Sequence, residues 1–514
     1  MRVLSTRIFL TTLILLLVAC IVQPGRDTHP DNAGFDDATE TDPLGLKPVD
    51  CWFRAEADWP ETECYFMQVR ENHTDAQSRI VSFPLVIFRT DRLFKSANPV
   101  LHLGAGGPGA AFHLDSEESI EAILVAYDEL SLAIGRDLFV IDPRGAGLST
   151  PLLSCETYVD HEVDRLRQNL ALMESWHLSD QDYVHCIQQM KQQGVNFNAY
   201  NSASILRDVE ALREAMSVKQ WVLVGVSYAA VYAQFLARHY PQTVEALILD
   251  SPVFPNLKAH HNYLERVLAP YKMLFKNCGD EDGCASDEES EQLQADFWTL
   301  HDDLNENPLA MRVENPYTER EIPVILNGER FLAAVSEGVY GTEIFKALKK
   351  IVSDLGAGDT GSIHRYFESY LAFLLDKTYG DLSAEAHYCF EDKPFLDFDL
   401  MRQLSDALPA GYIRDTTKLS LDWPDKCDLM GIQPAGPEWA EAVTIEQPTL
   451  FLQGALDAIT PLSDVEIQQE NFQHSELLLF DLSHDILGSS HCAEKMAGYF
   501  IQHKTVGNVE AICE

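Results

Sequence analysis

Trp221-Val222-Leu223-Val224-Gly225-Val226-Ser227-Tyr228-Ala229-Ala230 runs from an apolar segment of strand length into small and apolar residues that continue to Arg238, with Pro241 as a stop. Such a run predicts a buried strand that turns sharply into a helix. Ser227 falls on the turn. This is the pattern of the nucleophile elbow, G-x-S-x-G, in which a strained strand-to-helix corner lifts a serine hydroxyl clear of the sheet. Ala229 stands where the pattern has its last glycine. Ala229, Ala233 and Ala237 recur at i, i+4 and i+8, a slim stripe suited to a helix lying against a sheet.

Working outward from the elbow, strand-like runs recur at Cys64 to Val69, Ile80 to Arg89, Pro99 to Leu103, Asp137 to Ile141, Ala246 to Leu249, Thr449 to Leu452 and Leu477 to Phe480. Helical stretches such as Ser202 to Met216 and Ala229 to His239 alternate with many of them. That alternation predicts an α/β fold with a mostly parallel central sheet flanked by helices. Between Pro252 and about Val443 the alternation stops and helix-like periodicity takes over, so residues 254–443 are expected to form a mainly helical cap inserted between core segments 49–253 and 444–514.

The N-terminus differs from the rest. Arg2 and Arg7 precede the apolar run Ile8 to Val18, too short for a membrane span and of the length of a signal peptide. Leu17-Val18-Ala19-Cys20 resembles a bacterial lipobox, which makes residues 1–19 a lipoprotein signal and Cys20 the lipidated residue. Ile21, not aspartate, follows, as in lipoproteins sent on to the outer membrane. Residues 20–48, rich in Pro, Gly, Thr and carboxylates, read as a flexible tether. Of 11 cysteines, setting Cys20 aside leaves ten, an even number that invites disulfides in an exported chain. Near neighbours along the chain pair as Cys51 with Cys64, Cys155 with Cys186, Cys278 with Cys284, Cys389 with Cys427 and Cys492 with Cys513. The net charge of −42 disfavours nucleic acid and anionic lipid as direct partners. Neither Cys-x-x-Cys nor His-Glu-x-x-His occurs, so no metal is expected. The acidic stretch Asp280 to Glu291 lacks the alternate ligand spacing of a calcium loop and reads as a solvated loop stapled by Cys278 and Cys284.

A serine is a poor nucleophile at neutral pH and needs a base, a group to orient that base, and donors for the oxyanion it creates. Gln453-Gly454-Ala455-Leu456-Asp457 places an acid after a late strand, and Asp481-Leu482-Ser483-His484-Asp485 places a histidine after the next. Ser227, Asp457, His484 is the chain order of α/β-hydrolases. Asp250, at the end of an earlier strand, is the rival acid, and His491 the rival base. The oxyanion donors are expected to be the Tyr228 amide and that of Gly107, in Gly104-Ala105-Gly106-Gly107-Pro108-Gly109. That loop also fits G-x-G-x-x-G, but Pro108 removes a donor and no βαβ start precedes it, so no dinucleotide or other cofactor is expected.

The chain resembles the exported bacterial α/β-hydrolases of the prolyl aminopeptidase and tripeptidyl aminopeptidase group. The resemblance rests on Gly106-Gly107-Pro108-Gly109, Asp142-Pro143-Arg144-Gly145-Ala146-Gly147-Leu148-Ser149, Tyr200-Asn201-Ser202, Asp208 to Arg213, Leu249-Asp250-Ser251-Pro252, Gln453 to Asp457, and Cys492 with Cys513. It departs at Ala229 and Ala230. The resemblance implies an exported serine exopeptidase acting on short peptides, and the lipobox pattern places its only membrane attachment at Cys20. His387-Tyr388-Cys389-Phe390-Glu391-Asp392 resembles a segment of the tripeptidyl aminopeptidase relatives, which makes Glu391, with Asp392 as alternate, the expected partner of a substrate α-ammonium. An esterase on the same fold and a non-catalytic binding protein are the competing readings.

Overall fold

The computed structural model describes residues 44–257, 263–278, 286–406, 408 and 426–513. The stretch read as a signal segment, Cys20, most of the stretch read as a tether, and Cys284 lie outside these residues. Eleven strands are described: β1 (Gly45–Val49), β2 (Glu61–Arg70), β3 (Ile80–Arg89), β4 (Val100–His102), β5 (Leu138–Ile141), β6 (Trp221–Val226), β7 (Val244–Asp250), β8 (Leu309–Asn315), β9 (Arg320–Leu326), β10 (Thr449–Gly454) and β11 (Ser475–Phe480). Nine form one sheet in the order β1-β2-β3-β5-β4-β6-β7-β10-β11. The first three strands pair antiparallel, β3 joins β5 antiparallel, and every pairing from β5 to β11 is parallel.

The apolar runs became central strands because both faces are covered, as a parallel sheet requires. On β6, Trp221 and Leu223 pack with Val209, Leu212 and Ala233 from helices Ser202–Ala215 and Ala229–His239. Val222 and Val224 point the other way, onto Ile120, Leu124, Ala497 and Phe500 from helices Glu117–Tyr127 and His491–His503. The two-residue period of the strand thus separates two cores. Ala229, Ala233 and Ala237 are buried, as is the whole of their helix from Ala229 to Ala237. The approach is closest at Gly225, where a Cβ would stand 2.7 Å from the Ala230 Cα and 2.8 Å from the Ala229 carbonyl oxygen.

Among the described residues, four disulfides join Cys51–Cys64, Cys155–Cys186, Cys389–Cys427 and Cys492–Cys513. They are the bridges of a chain that folds in an oxidising compartment. Among the described residues, no helix is long and apolar enough to cross a membrane.

The fold departs from expectation in four places. Residues 45–48 are not tether but part of β1, which pairs along Gly45↔Gln68 to Val49↔Cys64 and is fastened by the Cys51–Cys64 bridge. The cap is not wholly helical: β8 and β9 form a hairpin whose Met311, Val313, Ile322 and Val324 turn inward while Arg312 and Glu314 face solvent. That alternation is the period of a half-buried strand. Helices Glu156–Arg165 and Leu172–Gln192, expected to belong to the core, instead join the cap. Val159 and Leu166 enter its apolar cluster around Phe297, Phe331 and Phe367, and the Ile325 amide donates to the Leu166 carbonyl at 2.9 Å. Finally, Asp287 to Glu291 are not loop but the start of helix Asp287–Glu306, capped by the Ser286 hydroxyl, which accepts from the Glu289 amide. Carboxylates at a helix N-terminus are favoured by the backbone dipole.

Candidate active site

Ser227 leaves the carboxyl end of β6 at φ +54°, the left-handed region that a non-glycine residue enters only under constraint. Its backbone is pinned on both sides: its amide donates to the Asp250 carbonyl at 2.9 Å, and its carbonyl accepts from the Val253 amide at 3.1 Å. Tyr228 caps the helix that follows, whose first amides lack acceptors within the helix. The glycine loop after β4 reaches the same corner, since a Cβ added to Gly106 would lie 3.7 Å from the Ser227 Cβ. Gly106 holds φ +114°, and Gly107 beside it is exposed.

The carboxylate and imidazole come from the loops after β10 and β11. Asp457 Oδ2 accepts from His484 Nδ1 at 3.0 Å, with both side chains buried. A carboxylate on Nδ1 fixes the neutral tautomer with Nδ1 protonated and Nε2 open to take a proton. The other carboxylate oxygen, Oδ1, accepts the Ile459 and Thr460 amides at 2.9 Å each, an Asx-type turn that orients the side chain. Thr460 Oγ1 donates to Asp457 Oδ2 at 2.7 Å and lies 3.3 Å from His484 Nδ1. Burial opposes the charged form of His484, but Asp457, with Asp485 and Asp250 behind it, outweighs burial and raises its pKa above the ordinary 6.5. The same contacts overcome burial at Asp457 and hold its pKa below the usual carboxylate range.

The rivals lie elsewhere. Asp250 spends its carboxylate on the Ile486 and Leu487 amides, at 3.0 and 2.7 Å. His491 starts a surface helix and faces Glu494 and Glu129.

The cap closes on this corner at three points. The Val339 carbonyl accepts from Ser483 Oγ at 2.6 Å, the Tyr340 carbonyl accepts from the His484 amide at 3.2 Å, and the Tyr340 ring meets the His484 ring edge-on at 5.2 Å. The Gly380 amide donates to the Gly109 carbonyl at 2.8 Å, bringing the cap onto the glycine loop. Glu391, fully buried in the one-turn π-helix Tyr388–Asp392, accepts from Ser202 Oγ at 2.6 Å and from the Tyr228 hydroxyl at 3.1 Å. Burial, then Asp392 and Glu391, push the Tyr228 hydroxyl pKa well up, so it stays a donor. Asp392 is less buried, at the end of the same turn. Glu385 lies near the sulfurs of Cys389 and Cys427, but these are joined to each other and offer no thiolate to a metal.

Sequence reasoning missed Thr460, Ser202 and the Val339-Tyr340 clamp. Thr460, three residues after Asp457, has the spacing of an Asx turn and could have been found. Ser202 and the clamp act on partners remote in the chain and leave no local signal.

The sequence profile described as the alpha/beta hydrolase fold matches residues 100–276. The serine protease Hip1 of Mycobacterium tuberculosis (strain H37Rv) is 23% identical over 429 residues, 78% of each chain. Carboxylesterase B of the same strain is 26% identical over 220 residues, 40% of each. An alpha/beta hydrolase fold protein from Chitinophaga pinensis has a TM-score of 0.37 at 10% identity, over 87% of this chain and 98% of that one.

Proposed function

We propose that this chain, which carries the α/β-hydrolase fold, is a serine peptidase of the cell envelope that releases residues from the free N-termini of short peptides. The observation that carries the reading is the buried Glu391, fastened to the hydroxyl of the residue that follows Ser227. An ammonium drawn out of water needs a carboxylate partner, because an unpaired buried charge costs several kcal/mol. Glu391, with Asp392 beside it, supplies one at the side chain of the residue that follows the nucleophile.

In this reading Ser227 Oγ attacks the scissile carbonyl while His484 Nε2 takes its proton, and the C–O bond forms as the carbonyl electrons move to oxygen. The amides of Tyr228 and Gly107 hold that oxyanion. Asp457 stabilises the imidazolium. On collapse the C–N bond breaks, His484 returns the proton to the leaving amine, and water then splits the acyl-enzyme by the same route. Similarity to serine protease Hip1 supports peptide substrates. Similarity to carboxylesterase B keeps an esterase as the second reading.

The test is a panel of free and N-acetylated peptide anilides against short-chain esters, with fluorophosphonate labelling of the wild type and Ser227→Ala. Loss of label and turnover in Ser227→Ala, with free peptides preferred over acetylated ones, supports the proposal. Equal cleavage of both peptide forms, or ester hydrolysis alone, turns it to an esterase or endopeptidase. Lipidation at Cys20 is part of the proposal and rests on the lipobox pattern. Radiolabelled palmitate should enter the wild type and not Cys20→Ser, and label in both would refute the anchor.

A further inference from the structure

We infer that Asp250 is a positioning residue that locks the nucleophile turn and the histidine loop into one unit. This rests on the serine-hydrolase reading above. Asp250 is the last residue of β7 and fully buried. Its backbone carbonyl accepts from the Ser227 amide at 2.9 Å. Its carboxylate accepts from the Ile486 amide at Oδ1, 3.0 Å, and from the Leu487 amide at Oδ2, 2.7 Å, directly after His484 and Asp485. Ser251 extends the link: its hydroxyl donates to Asp250 Oδ1 at 3.1 Å and accepts from the Asp485 amide at 3.2 Å. The Ser251 carbonyl lies 3.0 Å from Thr460 Oγ1 and shares that hydroxyl's single proton with Asp457 Oδ2. Two consecutive residues therefore touch all three loops that supply Ser227, Asp457 and His484.

The backbone there needs such a lock. Ser227, Ser251 and Asp485 hold φ of +54°, +46° and +58°, and the Ser227 amide is bonded to Asp250 and the Asp485 amide to Ser251. Left-handed non-glycine residues persist only where surrounding bonds over-determine them. A carboxylate offers lone pairs to three donors at once, whereas an amide in its place turns one donor against another. Asp250 does not act as the triad acid, because Asp457 holds His484 Nδ1. The titratable groups around it are Asp485, His484, Tyr127 and, farther off, Glu494. Burial and then Asp485 raise its own pKa to about 7. Its negative charge is in turn one of those that raise His484.

The test uses the full chain with Asp250→Asn and, separately, Ser251→Ala, each with active-site titration so that rates are read per competent serine. Asp250→Asn is expected to lower kcat per titrated site about 10- to 100-fold, the cost of a misplacement near 1 Å, with KM little changed. Ser251→Ala leaves the Asp250 carboxylate on the Ile486 and Leu487 amides, so it should lower kcat per site less. Wild-type kcat per titrated site in both variants, with any loss confined to the titratable fraction, overturns the inference. Should Asp250→Asn not fold, unchanged kcat per site in Ser251→Ala overturns it alone. Residual labelling in Ser227→Ala would instead overturn the serine-hydrolase reading.

Discussion

Replacing Asp457 by asparagine changes one atom of the side chain, and the surrounding bonds dictate which way the new amide faces. Asp457 Oδ1 accepts two backbone amides at 2.9 Å, so the oxygen of the substituted side chain must stay there. Its NH2 group is then forced to the Oδ2 position, 3.0 Å from His484 Nδ1. Two donors cannot share that contact, so the imidazole must shift its proton to Nε2, the nitrogen that has to receive the proton of Ser227. Charge is lost as well. Two unit charges 3.0 Å apart interact by about 5 kcal/mol at an effective dielectric near 20, and at 1.36 kcal/mol per decade this is on the order of 10⁴ in rate. Gln453 Nε2, held at 2.8 Å by the Thr460 carbonyl and 3.3 Å from Oδ2, would face the new NH2 too, destabilising the fold by about 1–3 kcal/mol. The assay is kcat on a peptide anilide per correctly folded molecule, with circular dichroism as the check on folding. An Asp457→Asn enzyme within tenfold of wild type, or one less impaired than Asp250→Asn, would refute the reasoning.

Three further outcomes are expected. Glu391→Gln should raise KM for free peptides roughly 10- to 100-fold, the loss of a charged hydrogen bond worth about 1.5–3 kcal/mol, and spare small neutral esters; an equal effect on both substrates would remove Glu391 from ammonium binding. His484 must be neutral to act as base, and its pKa is raised above 6.5, so activity should be less than half-maximal at pH 6.5 and reach its plateau only above it. A pH–rate midpoint at or under 6.5 would contradict this; at higher pH the rate should fall again as the substrate amine loses its proton near ~8. Opening the Cys389–Cys427 bridge, which closes a separation of 38 residues, should destabilise the cap by about 4 kcal/mol. Because that bridge braces the turn carrying Glu391, Cys389→Ala with Cys427→Ala should raise KM for free peptides more than it lowers kcat on esters, and steady-state kinetics on both substrates would show the reverse if the bridge serves folding alone.

The features legible in the chain are those set by neighbours in sequence. All eight apolar runs read as strands are strands, because a central parallel strand is buried on both faces and its composition says so locally. The alanine stripe and the serine turn were visible for the same reason, and the four described disulfides join cysteines 13 to 38 residues apart. Residues 45–48 looked like tether because Gly45 to Val49 gains its order only by pairing with β2. The β8–β9 hairpin was lost in a stretch with helix-like periodicity on either side. Sequence left Asp457 and Asp250 both eligible as the acid, since one follows and the other ends a strand of the same sheet. Folding separates them: the loop after β10 turns a carboxylate onto the imidazole, while the end of β7 turns one onto backbone amides. The choice of partner for Glu391, 189 residues from Ser202 and 163 from Tyr228, likewise belongs to tertiary structure. Periodicity encodes which face of an element is buried, but which buried groups meet is decided by how distant elements pack.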